Sequence, residues 1–181
     1  MTTIIGVQYD DRALLIADSR VTDDGGRIYS HPNMQKMVEH HGYVIAGAGE
    51  VAPCDIAMHV WIPPKPTSKE RENLYQFMIK KVMPSLRKCL MDNGYNFDEP
   101  HDRAKDGLRF QLLLSVGGEV FDISDDLSVC ITEDGIYGIG SGSAFALGAL
   151  HVGAKPIKAM EAAAKLSAFT AAPFQTIEQF K

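Results

Sequence analysis

The 181-residue chain is short of most features that mark a specialised class of protein. Its three cysteines, Cys54, Cys89 and Cys130, are scattered, which excludes a disulfide framework and a paired cysteine ligand motif. Reduced thiols and a cytoplasmic setting are the expectation. No apolar run approaches the roughly 18 residues of a membrane-spanning helix. The opening MTTIIGVQYDD has no basic segment leading into an apolar core, so no secretory leader and no membrane partner are expected. Basic residues are outnumbered, 18 Lys and Arg against 23 Asp and Glu, for a formal charge of −5. That leaves no electrostatic footprint for nucleic acid. Internal repeats and low-complexity tracts are absent. What remains, 45% hydrophobic and 23% charged residues, is the composition of an ordinary globular protein, with one domain expected over 1–181.

The residues that are present alternate between two periods. The first third reads as strands: a β-branched run over 2–9, the apolar run Ala13-Leu14-Leu15-Ile16-Ala17-Asp18, a short stretch over 34–39 and a run over 43–48. Asp10-Asp11, Asp23-Asp24-Gly25-Gly26 and His40-His41-Gly42 are the turn signals between them, and the succession implies antiparallel hairpins. The middle shifts to helical spacing. A helix is expected over 51–61, stopped by Pro63-Pro64. A longer one over 68–93 carries Leu74, Phe77, Met78, Val82 and Leu86 at helical intervals, with Pro84 inside to kink or split it. Residues 93–107 are polar and irregular, a surface loop. Strands return over 109–116, 119–123, 127–132 and 135–140. Ser141-Gly142-Ser143 then opens an Ala-rich helix over 144–152, and a second helix runs over 156–169 with Pro156 in its first turn. A short tail follows Pro173. Two antiparallel sheets with helices packed outside both satisfy this α+β order.

Thr2 carries the chemistry. Methionine ahead of a small residue is usually trimmed in cells, so the mature chain is expected to begin at Thr2. An N-terminal threonine combines nucleophile and base in one residue. Its own α-amine, with an ordinary pKa of about 7.7–8.0, can accept the hydroxyl proton near neutral pH. The bland alternative is that Met-Thr-Thr is merely a common start. Two charges bear on the choice. Asp18 ends an apolar strand, where a carboxylate is costly unless paired. Lys36 sits in the apolar stretch Met34-Gln35-Lys36-Met37-Val38. A lysine near an N-terminal amine would lower that amine's pKa and keep it a free base, with Asp18 holding the lysine in place. Alternatively, both are strand-edge charges facing water.

Thr2-Thr3-Ile4-Ile5-Gly6-Val7, Ile16-Ala17-Asp18-Ser19-Arg20, Lys36-Met37 and Val44-Ile45-Ala46-Gly47, in that order, resemble the proteasome β-subunit family of N-terminal nucleophile hydrolases and its bacterial relative, the HslV peptidase. Ile139-Gly140-Ser141-Gly142-Ser143 ahead of an Ala-rich helix is similar to the family's Gly-Ser-Gly motif. Phe174-Gln175-Thr176-Ile177-Glu178 resembles the end of the HslV chain. The resemblance is weakest over 53–107, where the style is closer to small proteasome-like proteins encoded by bacteriophages. It implies a four-layer αββα sandwich, with two antiparallel sheets flanked by helices. It implies a threonine endopeptidase acting through an acyl-enzyme on Thr2. In that reading Lys36 tunes the Thr2 amine and hydroxyl, Asp18 pairs with Lys36, Gly47 donates its N–H to the oxyanion, and Ser141 moves protons beside the Thr2 amine. Arg20 and Ile45 line the pocket for the substrate side chain. Ser167 and Thr170 stand where many β-subunits carry an aspartate and, three residues on, a serine; HslV also lacks that aspartate. In HslV-like proteins this helix end holds a monovalent cation, here Na+ on the backbone carbonyls of Ala164, Ser167 and Thr170, while catalysis needs no cofactor. Peptide or unfolded-protein substrates, self-association into rings and a separate ATPase unfoldase are the implied partners.

Other signals are weaker. Gly138 to Ser143 lacks the lysine of a P-loop and the spacing of a dinucleotide fingerprint, so a tight turn explains it better. His31, His59, His101 and His151 show no metal-ligand spacing, and His40-His41 reads as a solvated turn. Cys54 reads as a small buried residue and Trp61 as a loop residue packed on the core. Two rival functions stand beside the peptidase: a proteasome-like ring without catalysis, which retention of Met1 would favour, and an amidase acting on small amides.

Overall fold

The computed structural model describes residues 2–22, 25–29, 31–101 and 107–181. β1 (Ile4–Gln8) and β2 (Arg12–Asp18) form the first hairpin, followed by a small hairpin of β3 (Val21–Thr22) and β4 (Ile28–Tyr29). Asp23 and Asp24 of its expected turn lie outside the described residues. β5 (Met37–His40) pairs with β6 (Tyr43–Gly49) around the His41-Gly42 turn. The helical segments α1 (Val51–Asp55), α2 (Leu74–Phe77) and α3 (Met83–Asp92) come next, and β7 (Phe110–Val116), β8 (Glu119–Ser124), β9 (Val129–Cys130) and β10 (Ile136–Ile139) follow. The chain ends with α4 (Ser143–His151), α5 (Pro156–Leu166) and β11 (Phe174–Phe180).

Two antiparallel sheets result, one in the order β10-β1-β2-β11 and one in the order β5-β6-β7-β8-β9. Ile4, Leu15, Ala17, Val44, Ala46 and Leu113 fill the space between them. Ile5, Val7 and Ile16, of alternate parity, face outward onto Ala146, Leu150, Met160 and Ala163 of α4 and α5. Tyr43, Ile45, Leu112 and Leu114 face the other way, onto Trp61, Phe77, Met78, Leu86 and Leu90. Helices cover each outer face, so strand residues of both parities are buried. This is why the strands read as continuous apolar runs rather than alternating ones. The expected αββα sandwich is the observed architecture.

Several local expectations change. The short strand begins at Met37, not at residue 34, which leaves Lys36 on its threshold. α1 continues as a π-helical turn, Ile56–Val60, and ends in extended backbone at Trp61. The long helix is indeed interrupted: a π-helical stretch, Met78–Val82, joins α2 to α3, and Pro84 falls in the first turn of α3, where a missing N–H costs least. Trp61 is buried and donates its ring N–H to Ser85 Oγ at 3.0 Å, as a core residue should. α5 stops at Leu166, three residues before its expected end, where Ser167 Oγ accepts the N–H of Phe169. Residues 102–106 of the expected surface loop lie outside the described residues. The tail is the largest change. Phe174–Phe180 is a full strand on the free edge of β2, in register from Phe174 opposite Asp18 to Phe180 opposite Arg12. Its glutamines reach across to the other sheet, Gln175 to the Met37 carbonyl and Gln179 to Ser115 Oγ. Polar residues on an inward face hid the strand from a hydrophobic reading. No helix among the described residues is long and apolar enough to cross a membrane.

Candidate active site

Thr2 leads into β1 and is almost buried, 7% exposed. The turn from β10 into α4 wraps its backbone. Gly142 N–H donates to the Thr2 carbonyl at 3.4 Å, and Ser141 Oγ makes a long contact with the same oxygen at 3.5 Å. Gly140 makes that approach feasible: its φ is +86°, and a Cβ there would run into the Thr2 carbonyl. Met1, whose removal the N-terminal chemistry requires, lies outside the described residues.

The β1–β2 register sets Asp18 beside Thr3. Thr3 N–H donates to Asp18 Oδ1 at 2.8 Å, and Asp18 N–H donates back to the Thr3 carbonyl. Lys36, on the threshold of β5, places its Nζ 2.6 Å from the same Oδ1 and also donates to the Arg20 carbonyl. Asp18 Oδ2 accepts the N–H groups of Arg20 at 3.0 Å and Ala171 at 3.3 Å. Neither charge is a strand-edge group facing water. The Asp18 side chain is fully buried and that of Lys36 is 6% exposed. Burial pushes the Lys36 ammonium below its ordinary pKa, against the opposing pull of Asp18. Thr2 and Lys36 share one wall of a cavity of about 270 Å³.

Gly47 is brought to the same cavity, but its N–H donates to the Lys36 carbonyl at 3.0 Å. Along a strand successive N–H groups point to opposite sides. Two residues on, Gly49 has a φ of +104°, outside extended strand geometry, and the next residue, Glu50, donates its N–H to Arg109 on the β7 side. The β5–β6 pairing begins at Met37 opposite Ala46, so no strand residue stands opposite Gly49 on the β5 side. Gly49 borders the cavity beside Thr2 and a second cavity as well. The N–H expected to serve as oxyanion donor, that of Gly47, is thus engaged by the Lys36 carbonyl. The sequence signal at this position is the doubled Ala-Gly-Ala-Gly over 46–49, which sets a second glycine two residues on, at the same strand parity as Gly47.

Two expected pocket residues are not on the cavity wall. Ile45 is fully buried in the core beneath the helices, since its parity points it away from the cleft. Arg20 turns its guanidinium to the Ala168 carbonyl at 2.6 Å. Met34, Cys54 and Met58 take their place. Cys54 lies directly against Gly47, where any Cβ would clash with its sulfur, and burial raises its thiol pKa to about 12.

Thr170 packs against Thr3, the residue after Thr2. Thr170 Oγ1 lies 2.6 Å from Thr3 Oγ1, both buried. The Ser167 carbonyl accepts Thr170 N–H at 3.3 Å, and Ala164 lies one turn back on α5. Backbone carbonyls at a helix end are suitable ligands for a monovalent cation, although the Arg20 guanidinium already sets a positive charge beside them at Ala168. Among the described residues, no group of three or more His, Cys, Asp or Glu is placed to hold a metal ion.

Neither a protein-family profile nor a curated protein sequence matches the chain. Solved structures do. The BPH protein of Thiobacillus denitrificans, solved in complex with epoxomicin, superimposes with a TM-score of 0.75 at 20% identity over 98% of both chains. HslV from Trypanosoma brucei matches at 0.63 and 22% identity, over 97% of this chain and 98% of its own. Anbu, an ancestral beta-subunit from Yersinia bercovieri, matches at 0.68 and 13% identity, over 98% of this chain and 81% of its own. The chain thus has the proteasome-type fold of the N-terminal nucleophile hydrolases.

Proposed function

We propose that the chain is a threonine-type peptidase of proteasome or HslV type, a single Ntn hydrolase domain that becomes active when removal of Met1 frees the amine of Thr2. The observation that carries the reading is the buried Lys36–Asp18 pair, with Lys36 and Gly49 both lining the cavity that Thr2 borders. A buried lysine beside an N-terminal amine disfavours its protonation and leaves it a base. The amine takes the Thr2 hydroxyl proton as Oγ attacks the peptide carbonyl. Gly49 N–H receives the developing oxyanion, a contribution of a few kcal/mol to the barrier. The amine then returns the proton to the leaving nitrogen, with the Ser141 hydroxyl assisting, and water hydrolyses the acyl-enzyme. Asp18 holds Lys36 and fixes the Thr3 backbone, which positions Thr2. The wall of Met34, Cys54 and Met58 favours an apolar side chain ahead of the scissile bond. No step requires a cofactor; a sodium ion on the carbonyls of Ala164, Ser167 and Thr170 would only brace their turn. Peptides or unfolded proteins are the substrates, in rings of this chain in the cytoplasm, with folded substrates delivered by a separate ATPase.

Intact mass spectrometry with and without epoxomicin tests the proposal. An epoxyketone needs both the hydroxyl and the free amine of an N-terminal threonine for its ring-closed adduct. Loss of Met1 and one adduct per chain, absent in Thr2→Ala, is the expected result. A chain that keeps Met1 and takes no adduct would sink the peptidase reading and leave a ring without catalysis.

A further inference from the structure

We propose that the second cavity beside Thr2 receives the leaving-group side of the substrate and selects an apolar residue immediately after the scissile bond. This inference rests on the peptidase reading above. The cavity holds about 490 Å³, and of its lining residues only Thr2 and Gly49 also line the first cavity. Those two residues form a ridge between two hollows. An acyl carbon bonded to Thr2 Oγ, with its oxyanion on Gly49 N–H, must send its two remaining substituents to opposite sides of that ridge.

The chemistry decides which substituent goes where. The leaving nitrogen must acquire a proton, and the hydroxyl able to relay one, Ser141, lines the second cavity. Lys36 lines the first and is held by Asp18 and the Arg20 carbonyl. The nitrogen and the residue behind it therefore enter the second cavity. Its far wall is Ala48, Leu108 and Phe110, with Gln111 as a polar side chain. Leu108 is 39% exposed, so an apolar surface stands open to a ligand. No charged side chain lines this cavity among the described residues, whereas Lys36, Asp55 and His59 line the first. A charged residue entering the second cavity would lose hydration without gaining a charged partner among the described residues that line it.

Deacylation provides a direct readout. The Oγ–acyl bond of Thr2 breaks as a new bond forms from the acyl carbon to water or to an added amine. The proton of the attacking group passes through the Thr2 amine to Oγ. An attacking amine enters by the path the leaving amine took, so it occupies the same cavity. The mature full chain is acylated with a peptidyl-coumarin amide at equal concentrations of leucinamide, glycinamide or aspartic acid amide, and the peptide acid and peptidyl amide products are weighed by mass spectrometry. Leucinamide is expected to capture the acyl-enzyme about tenfold better than either alternative, the discrimination typical of an apolar side chain in an apolar pocket. Leu108→Asp should abolish that preference and favour lysinamide. Equal capture of all three amides by the wild-type protein, with coumarin released normally, overturns the second cavity's role and leaves the peptidase reading intact. Absence of both coumarin release and epoxyketone adduct overturns the two together.

Discussion

Replacing Asp18 by asparagine tests the centre of the site most directly. The carboxylate is fully buried and accepts four donors: Lys36 Nζ at 2.6 Å and the N–H groups of Thr3, Arg20 and Ala171 at 2.8, 3.0 and 3.3 Å. Asparagine matches its shape but presents an NH2 in place of one oxygen. In one orientation that NH2 faces the N–H groups of Arg20 and Ala171; in the other it faces Thr3 N–H and the ammonium. Both orientations oppose donor to donor and leave the buried Lys36 charge uncompensated. Removing one partner of a buried pair costs about 3–5 kcal/mol. At roughly 2–4 °C per kcal/mol for a chain of this size, the melting temperature should fall by about 6–20 °C. Calorimetry at neutral pH and fixed protein concentration measures the drop, since any self-association would make the midpoint concentration-dependent. The double variant Asp18→Asn with Lys36→Met removes the orphaned ammonium and should recover at least about 2 kcal/mol. A single variant that loses under about 1 kcal/mol, or strictly additive losses in the double variant, would refute the buried-pair account.

Asp122 offers a pH test: burial pushes its carboxyl up to about 6, and its Oδ1 has no hydrogen-bond partner among the described residues. The folded chain then holds the proton that the unfolded chain releases near pH 4, so stability falls as pH rises between about 4 and 6. Asp122→Asn should remove this slope and gain at most about 3 kcal/mol at about pH 8 in urea unfolding, with no gain below about pH 4. Gly49→Ala and Gly140→Ala force a side chain into φ of +104° and +86° and against the carbonyls of Arg109 and Thr2. Each should slow epoxomicin adduct formation at least about tenfold, followed by time-resolved mass spectrometry. Iodoacetamide at about pH 8 should label exposed Cys130 and spare Cys54, whose thiol is raised to about 12; peptide mapping that finds Cys54 modified would show that it is not buried as described.

Much of the site was legible because its signals are local in sequence or carry an electrostatic penalty. A carboxylate closing the apolar run Ala13 to Asp18 is costly unless paired, and Lys36 in its own apolar stretch was a candidate cation beside the alternative that both face water; they lie 2.6 Å apart. Gly140-Ser141-Gly142 after a strand announced a tight turn, and that turn holds Thr2. The missed features depend on pairings between distant segments. Phe174–Phe180 became a strand because β2 left a free edge beside it, and its inward glutamines found acceptors and donors on the opposite sheet. Nothing within seven residues of tail specifies that edge.

Composition and order alone therefore determined the layers: apolar runs long enough to be covered on both faces, helices between them, and a threonine near the start beside a partnered charge. Tertiary structure decided the details of the cleft. Ile45 left it because side chains on a strand alternate, and its parity belongs to the helix-covered face. Arg20 left it for a carbonyl 148 residues away. Gly47 N–H is engaged by the Lys36 carbonyl, while Gly49, two residues on and past the end of the β5 pairing, borders both cavities. Which of two like glycines lies beyond a neighbouring strand depends on where that strand stops, and that is set by sheet register rather than by either glycine's local sequence.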